Sequence, residues 1–206
     1  MTRDAKLLRR AFFNRDPRVV ARELLGKLIV RREGRRRLAG RIVEVEAYLG
    51  AGDLAAHAAA GHTARNAVLW GPPGHAYIYF IYGVHYCLNI SCLPAGVAGC
   101  VLIRALEPVS GLREMAEARA LADMDLTSMR DLRKLASGPG RLCEALGITR
   151  PRDNGKDMLS SKSDLQVMSD GFRVDEVAVT QRIGITKSEE MPLRYVIEGN
   201  AFVSKK

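Results

Sequence analysis

Residues 42–48 read Ile42-Val43-Glu44-Val45-Glu46-Ala47-Tyr48. Strand side chains alternate between faces with period two, so Val43, Val45 and Ala47 point one way while Glu44, Glu46 and Tyr48 point the other. Two carboxylates thus share a face with a phenol. A solvent-facing strand would carry glutamates there at no cost. A partly apolar pocket would instead make them groups able to activate water or stabilise a sugar cation, the chemistry of glycosidic cleavage.

On the N-terminal side, Lys27–Arg32 and Leu38–Leu49 flank Glu33-Gly34-Arg35-Arg36-Arg37, which predicts a hairpin with a basic tip. Asp16-Pro17 reads as N-cap and first helical position, with Val19, Val20, Leu24 and Leu25 on one face and Gly26 as the stop. On the C-terminal side, Tyr77–Tyr82 and Val84–Ser91 form a second hairpin around Gly83, and Cys100–Leu106 a further strand. Helical composition follows over Gly111–Asp123 and Met129–Leu135, and Ser137-Gly138-Pro139 opens a short helix that Gly147 ends. Asn154–Lys162 reads as a surface loop, while Phe172–Thr180 and Leu193–Glu198 return to strand. Strands, then helices, then strands predict an α+β fold rather than a doubly wound sheet. The expectation is a single compact domain over residues 1–206, with a curved, mostly antiparallel sheet, flanking helices and a protruding β-hairpin; residues 1–15 are expected to form a flexible basic arm.

The formal net charge of the 206 residues is +9, from 32 Lys+Arg and 23 Asp+Glu. Residues 1–41 hold 14 of the cations and 4 of the acids, so the excess sits in the N-terminal fifth. Such asymmetry suits a polyanionic partner, because cations that neutralise phosphates release condensed counterions; a basic face kept for solubility is the plainer reading. Cys87, Cys92, Cys100 and Cys143 include no C-x-x-C pair and read as reduced thiols of an intracellular protein. His57 and His62 do not match metal-ligand spacing, and no metal is expected. The charged start of the chain argues against a secretory signal. The uncharged run Asn66–Ile103 is broken by Gly71-Pro72-Pro73-Gly74, Gly83, Asn89 and Pro94, which argues against a membrane span.

Five of the six tyrosines lie between Tyr48 and Tyr86, and Tyr77 and Tyr79 share a strand face. Strand packing accounts for them, as would a platform for a nucleobase. Tyr82 falls at the second hairpin's tip, where a large aromatic either folds back or acts as a wedge between stacked bases. His57, in an alanine-rich run, is a packing residue or an imidazole returned towards Tyr48. Asn89 and Arg104 are polar groups in apolar strands and need partners if buried. Gly138-Pro139-Gly140-Arg141 offers backbone N–H groups and one cation to a phosphate, although a Pro-initiated helix needs no ligand.

Four ordered blocks, Gly40–Gly50, Ala55-Ala56-His57, Tyr77–Gly83 with Asn89-Ile90-Ser91, and Val101–Pro108, resemble the alkyladenine (3-methylpurine) DNA glycosylase family. Ser137-Gly138-Pro139, Arg182-Ile183-Gly184 and Pro192-Leu193-Arg194-Tyr195 extend the resemblance from about Leu24 to the C-terminus. It implies that Glu46 is the general base for water attacking C1′ of a flipped nucleotide, with Arg104 and the Ile183 carbonyl holding that water and Glu44 in support. It implies further that Tyr48 and Tyr79 sandwich the base, that His57 hydrogen-bonds it and contacts the sugar-phosphate, and that Asn89 disfavours normal guanine. Tyr82 would fill the vacated stack, and Gly138 and Arg141 would meet the DNA backbone. The implied protein is a monomeric, monofunctional enzyme without cofactor. Its partner is double-stranded DNA containing damaged purines, in the cytoplasm of a prokaryote or the nucleus of a eukaryote. The chain departs from the family at Gly52-Asp53-Leu54, where relatives carry adjacent acids, and at Arg141, where some have lysine; residues 153–170 match nothing. Two rivals remain open on the residues alone: an O-glycoside hydrolase using Glu44 and Glu46, whose backbones would lie about 6.5–7 Å apart, and a non-catalytic binder of damaged or bent DNA.

Overall fold

The computed structural model describes residues 5–81 and 83–204. In chain order the elements are β1 (Lys6–Leu7), α1 (Arg10–Phe13), α2 (Pro17–Leu24), β2 (Leu28–Glu33), β3 (Arg36–Tyr48), β4 (Ala76–Ile81), β5 (His85–Ser91), β6 (Cys100–Ser110), α3 (Leu112–Ala118), α4 (Met129–Ala136), α5 (Pro139–Ala145), α6 (Arg150–Asp153), β7 (Leu165–Ser169), β8 (Val177–Thr180) and β9 (Arg194–Ile197). Two 3-10 turns, His57–Ala60 and Ala67–Trp70, interrupt the long connection between β3 and β4.

The strands form one curled antiparallel sheet in the order β1-β7-β2-β3-β6-β5-β4, with β9 on β3 and β8 on β9. The spine is β3: its first half pairs with β2, residues 44–46 pair with β9, and β6 covers the other edge from Ala39 to Tyr48. Backbone N–H and C=O groups of the Glu44–Glu46 stretch are therefore held from both sides, which fixes the two carboxylates on a rigid element.

Alternation on four neighbouring strands sorts side chains into a core face and a second face. Val45 and Ala47 of β3, Val101 and Ile103 of β6, Leu88 and Ile90 of β5, and Ala76 and Ile78 of β4 join one buried cluster with residues of α2, α3, α4 and α5. Each large aliphatic buried there contributes about 1.5–3 kcal/mol. The α2 helix follows its expected signals: the Asp16 carboxylate accepts the Arg18 N–H at 2.8 Å, and Gly26 takes φ 81°. Its buried stripe is Pro17, Val20, Ala21 and Leu24, an i, i+3, i+4, i+7 set that leaves Val19 exposed, contrary to expectation.

Three features depart from the sequence reading. Register shifts between Ile42 and Glu44 and between Glu44 and Val45 break the alternation at Val43, which packs with Ala105 and Phe202 away from Val45 and Ala47. A strand, β7, lies beyond the loop expected over Asn154–Lys162, within the stretch 153–170 that the family blocks leave out, and inserts between β1 and β2. The segment Phe172–Thr180 is strand only from Val177. At the N-terminus β1 pairs with β7 and Phe13 is fully buried, so the chain is docked over Lys6–Phe13.

Candidate active site

The second face of β3–β6–β5–β4 lines a cavity of about 790 Å³. Tyr48 stands at the end of β3, Cys100, Leu102 and Arg104 on β6, Cys87 and Asn89 on β5, and Tyr77 and Tyr79 on β4. The opposite wall comes from Gly138, Pro139 and Arg141 at the start of α5 and from the Ile183–Ile185 loop. Nearly all the singled-out residues among those described thus converge on one concavity; Glu46 does not line it but lies directly behind.

Glu46 is fully buried, which overturns the solvent-face reading of the strand. Its Oε1 accepts the Ile183 N–H at 2.8 Å and lies 3.2 Å from Arg104 Nη1, while its Oε2 accepts the Tyr48 hydroxyl at 3.0 Å. A carboxylate has about four acceptor positions, so one remains for a water, and all three neighbours are cavity-lining residues. Burial raises the Glu46 pKa above the ordinary glutamate value; Arg104 and the two hydrogen bonds oppose that shift without cancelling it.

Glu44, also fully buried, lives in a different field. Its Oε1 accepts from Arg104 Nε at 2.9 Å, Arg194 Nε at 2.7 Å and the Ser204 hydroxyl at 2.9 Å, and its Oε2 accepts the Ser204 N–H at 2.6 Å. Burial pushes its pKa up, but Arg104, Arg194 and Ser204 outweigh burial and hold it below the usual range. Glu44 is therefore a fixed anion saturated with donors. It balances Arg104, so that this guanidinium can hold Glu46 without carrying an unpaired buried charge.

Around the cavity the aromatic groups brace one another. His57 Nδ1 lies 2.9 Å from the Tyr77 hydroxyl, and its ring meets Tyr79 edge-on at 4.5 Å. Desolvation of its ring against Tyr77 and Tyr79, with Arg65 nearby, lowers the His57 pKa and favours neutral imidazole, while the residue as a whole remains exposed. Asn89 is buried and donates to the Tyr77 carbonyl at 3.2 Å, leaving its second N–H uncommitted among the described residues. Tyr82 lies outside the described residues. Its hairpin neighbours Phe80 and Val84 are 43% and 65% exposed, so the hairpin presents apolar surface to solvent. All four cysteines are free and buried.

Two site features escaped the sequence reading. Arg182 and Asp53, both at 0% side-chain exposure, form a buried two-pronged pair at 2.5 and 2.9 Å. The Arg182 guanidinium also lies over the Tyr48 ring at 4.7 Å and donates to the Ala47 carbonyl at 3.2 Å. Arg182 thereby fixes the plane of Tyr48 and the position of the adjoining Ile183 amide. Its only sequence signal was its place in Arg182-Ile183-Gly184. The second feature is the link of the β4–β5 hairpin to α5: His85 Nδ1 lies 2.9 Å from Glu144, which also receives Arg119.

Five of the 14 cations of the basic N-terminal fifth are engaged by carboxylates. Arg10 pairs with Asp157, Arg15 with Glu23, Arg18 with Asp16, Arg31 with Asp153 and Asp164, and Arg41 with Asp170. The basic hairpin tip adjoins the start of β3, whereas Tyr48 ends it 12 residues later, at most about 40 Å along the strand at 3.2–3.4 Å per residue.

A sequence profile of the family described as Methylpurine-DNA glycosylase (MPG) matches residues 11–201. The chain is 65% identical over 199 residues to a protein of Koribacter versatilis, covering 97% of this chain and 93% of the relative. It is 46% identical to one of Methanoculleus marisnigri (95% and 97% covered) and 45% identical to one of Burkholderia cenocepacia (95% and 89% covered). All three bear the name "Putative 3-methyladenine DNA glycosylase". The match runs through every strand that carries the cavity, and the chain belongs to the methylpurine-DNA glycosylase family.

Proposed function

We propose that this DNA glycosylase, a hydrolase of N-glycosyl bonds acting in base excision repair, is a monomeric, monofunctional enzyme that flips damaged purines out of duplex DNA and hydrolyses their bond to C1′ with a water activated by Glu46. The carrying observation is the fully buried Glu46 carboxylate, bound to three cavity-lining groups with one acceptor position left. Water attacks C1′ as the C1′–N bond breaks; the bonding electron pair leaves with the purine and the water proton passes to Glu46. 3-Methyladenine and 7-methylguanine nucleotides carry positive charge on the base, so these purines leave neutral without an acid. Hypoxanthine and ethenoadenine form the wider substrate range and leave more slowly. Arg104 and the Ile183 carbonyl hold the water, and the reaction leaves an abasic site.

Specificity starts with extrusion, which costs a few kcal/mol and less for a damaged or mispaired base. The base lies between Tyr48, backed by Arg182, and Tyr79, braced by His57. His57 hydrogen-bonds the base and reaches its sugar-phosphate. The second Asn89 N–H opposes the amino group of normal guanine, donor against donor. Tyr82, which the sequence places between β4 and β5, fills the gap left in the stack, and Gly138 and Arg141 contact the backbone beside the flipped nucleotide. Glu44 is saturated by four donor contacts and so is unsuited to act as the second carboxylate of an O-glycosidase. Single-turnover base release from duplexes containing 7-methylguanine, hypoxanthine or 1,N6-ethenoadenine, beside an undamaged duplex, tests the proposal. Free base and an alkali-labile site are expected from the damaged duplexes; tight lesion binding with no release from any would leave a damage binder.

A further inference from the structure

Beside the nucleotide cavity lies a second groove of about 630 Å³, sharing Arg104, Gly138, Pro139 and Arg141 with it. Its far wall is one face of α4. Arg130, Arg133 and Lys134 are three and four residues apart, which places their Cβ atoms about 5–6 Å from one another on a common face. Leu135 and Ala136 take the opposite side into the core. The groove lining contains no acidic residue. Lys134 pairs with Asp131 at 2.5 Å, but Arg130 and Arg133 have no ion pair among the described residues. Five N-terminal arginines are neutralised by carboxylates, while Arg9, Arg22, Arg32, Arg35, Arg36 and Arg37 also have no ion pair among the described residues; what sets the α4 pair apart is its place in a groove that adjoins the nucleotide cavity. The Ser137 hydroxyl at the α4–α5 corner is buried, lines the groove and has no hydrogen-bond partner among the described residues. A buried hydroxyl without a partner is destabilising, and an acceptor oxygen arriving in the groove would relieve that. The corner is also pinned to the site, since Ser137 forms a bridge with Ala105, the neighbour of Arg104.

We propose that this α4 groove binds two consecutive phosphates of the damaged strand next to the flipped nucleotide, with Arg130 and Arg133 as the cations and the Ser137 hydroxyl as a donor. The assignment rests on the glycosylase reading for the identity of the strand, and it moves the salt-sensitive contacts from the N-terminal fifth of the chain to α4. Each phosphate neutralised adds about 0.9 to the slope of log affinity against log salt. Two contacts thus account for about a tenfold part of the affinity lost between 50 and 200 mM salt.

The test is a salt series of fluorescence anisotropy on an undamaged duplex, with the full chain, the Arg130→Ala/Arg133→Ala variant, the charge-keeping Arg130→Lys/Arg133→Lys variant, and an Arg35→Ala/Arg36→Ala variant at the hairpin tip. The alanine pair in α4 is expected to flatten the slope by about 1.8, the lysine pair to keep most of it, and the hairpin-tip pair to leave both slope and base release unchanged. An unaltered slope in the α4 alanine pair, or an equal loss from the hairpin tip, overturns the assignment. Because the duplex is undamaged, failure of the groove is distinct from failure of the glycosylase reading, which would appear as no base release by the unaltered chain.

Discussion

Replacing Arg182 with methionine tests whether a pair outside the reacting groups holds the site together. Asp53 accepts two guanidinium hydrogen bonds at 2.5 and 2.9 Å, and the Leu49 and Ala55 N–H groups at 3.2 and 3.1 Å, at 0% side-chain exposure. Without Arg182 the carboxylate keeps two amides and loses its counter-charge. Breaking a buried pair from one side costs about 3–5 kcal/mol, and at about 2–4 °C per kcal/mol for a chain of this size the melting temperature should fall by roughly 6–20 °C. Pairing Arg182→Met with Asp53→Asn should recover a large part of the loss, a coupling of about 2 kcal/mol or more in a double-mutant cycle. The pH dependence gives an independent check. Burial pushes the Asp53 pKa up, but Arg182 and the two amides outweigh it and lower the net value. Its stabilisation is therefore fully present above the unfolded pKa and is lost as pH falls through the folded value. In Arg182→Met burial acts against the amides alone, so the deficit should shrink on acidification as Asp53 takes a proton. Urea melts at pH 7 and pH 5 measure both effects. A loss below about 1 kcal/mol, or strictly additive single variants, would refute the reasoning.

Further outcomes follow from the same geometry. Tyr48→Leu and Tyr79→Leu should each weaken lesion-duplex binding by about 5- to 150-fold, the equivalent of 1–3 kcal/mol of base stacking, measured by anisotropy; unchanged affinity would remove the sandwich. Gly50→Ala should destabilise by about 2–5 kcal/mol in urea melts, because φ is +89° and an added Cβ would lie 2.1 Å from the Ala98 carbonyl oxygen. The acid limb of kcat/KM should report Glu46: burial raises its pKa, so activity should fall with decreasing pH at a value above that of an ordinary glutamate. A pH-rate profile breaking at or below about pH 4.3 would contradict that assignment.

The site-bearing half of the sheet was legible because four neighbouring strands obey one alternation. Tyr77 and Tyr79, Asn89, and Glu46 with Tyr48 each follow from period two, whereas their burial follows only from tertiary structure. Val43 misled because a register shift arises from pairing with β6, and the sequence of β3 contains no sign of it. The strand β7 was unreadable for a related reason: five residues after a polar loop acquire a strand conformation from β1 and β2, which lie more than a hundred residues earlier. Regional net charge overstates the free cations of the N-terminal fifth, because Asp153, Asp157, Asp164 and Asp170, which pair with Arg31, Arg10 and Arg41, come late in the chain. Asp53 and Arg182 are likewise 129 positions apart, beyond any local spacing rule.

The most direct test of the account is Glu46→Gln, assayed in one preparation for single-turnover base release from a 7-methylguanine duplex and for binding to an ethenoadenine duplex. Glutamine keeps the shape and can accept the Ile183 N–H, but it cannot take a proton from water. Release reduced by about 10²- to 10⁴-fold is expected with lesion binding retained; release at a comparable rate would contradict the role of Glu46 as base and return it to that of a buried structural carboxylate.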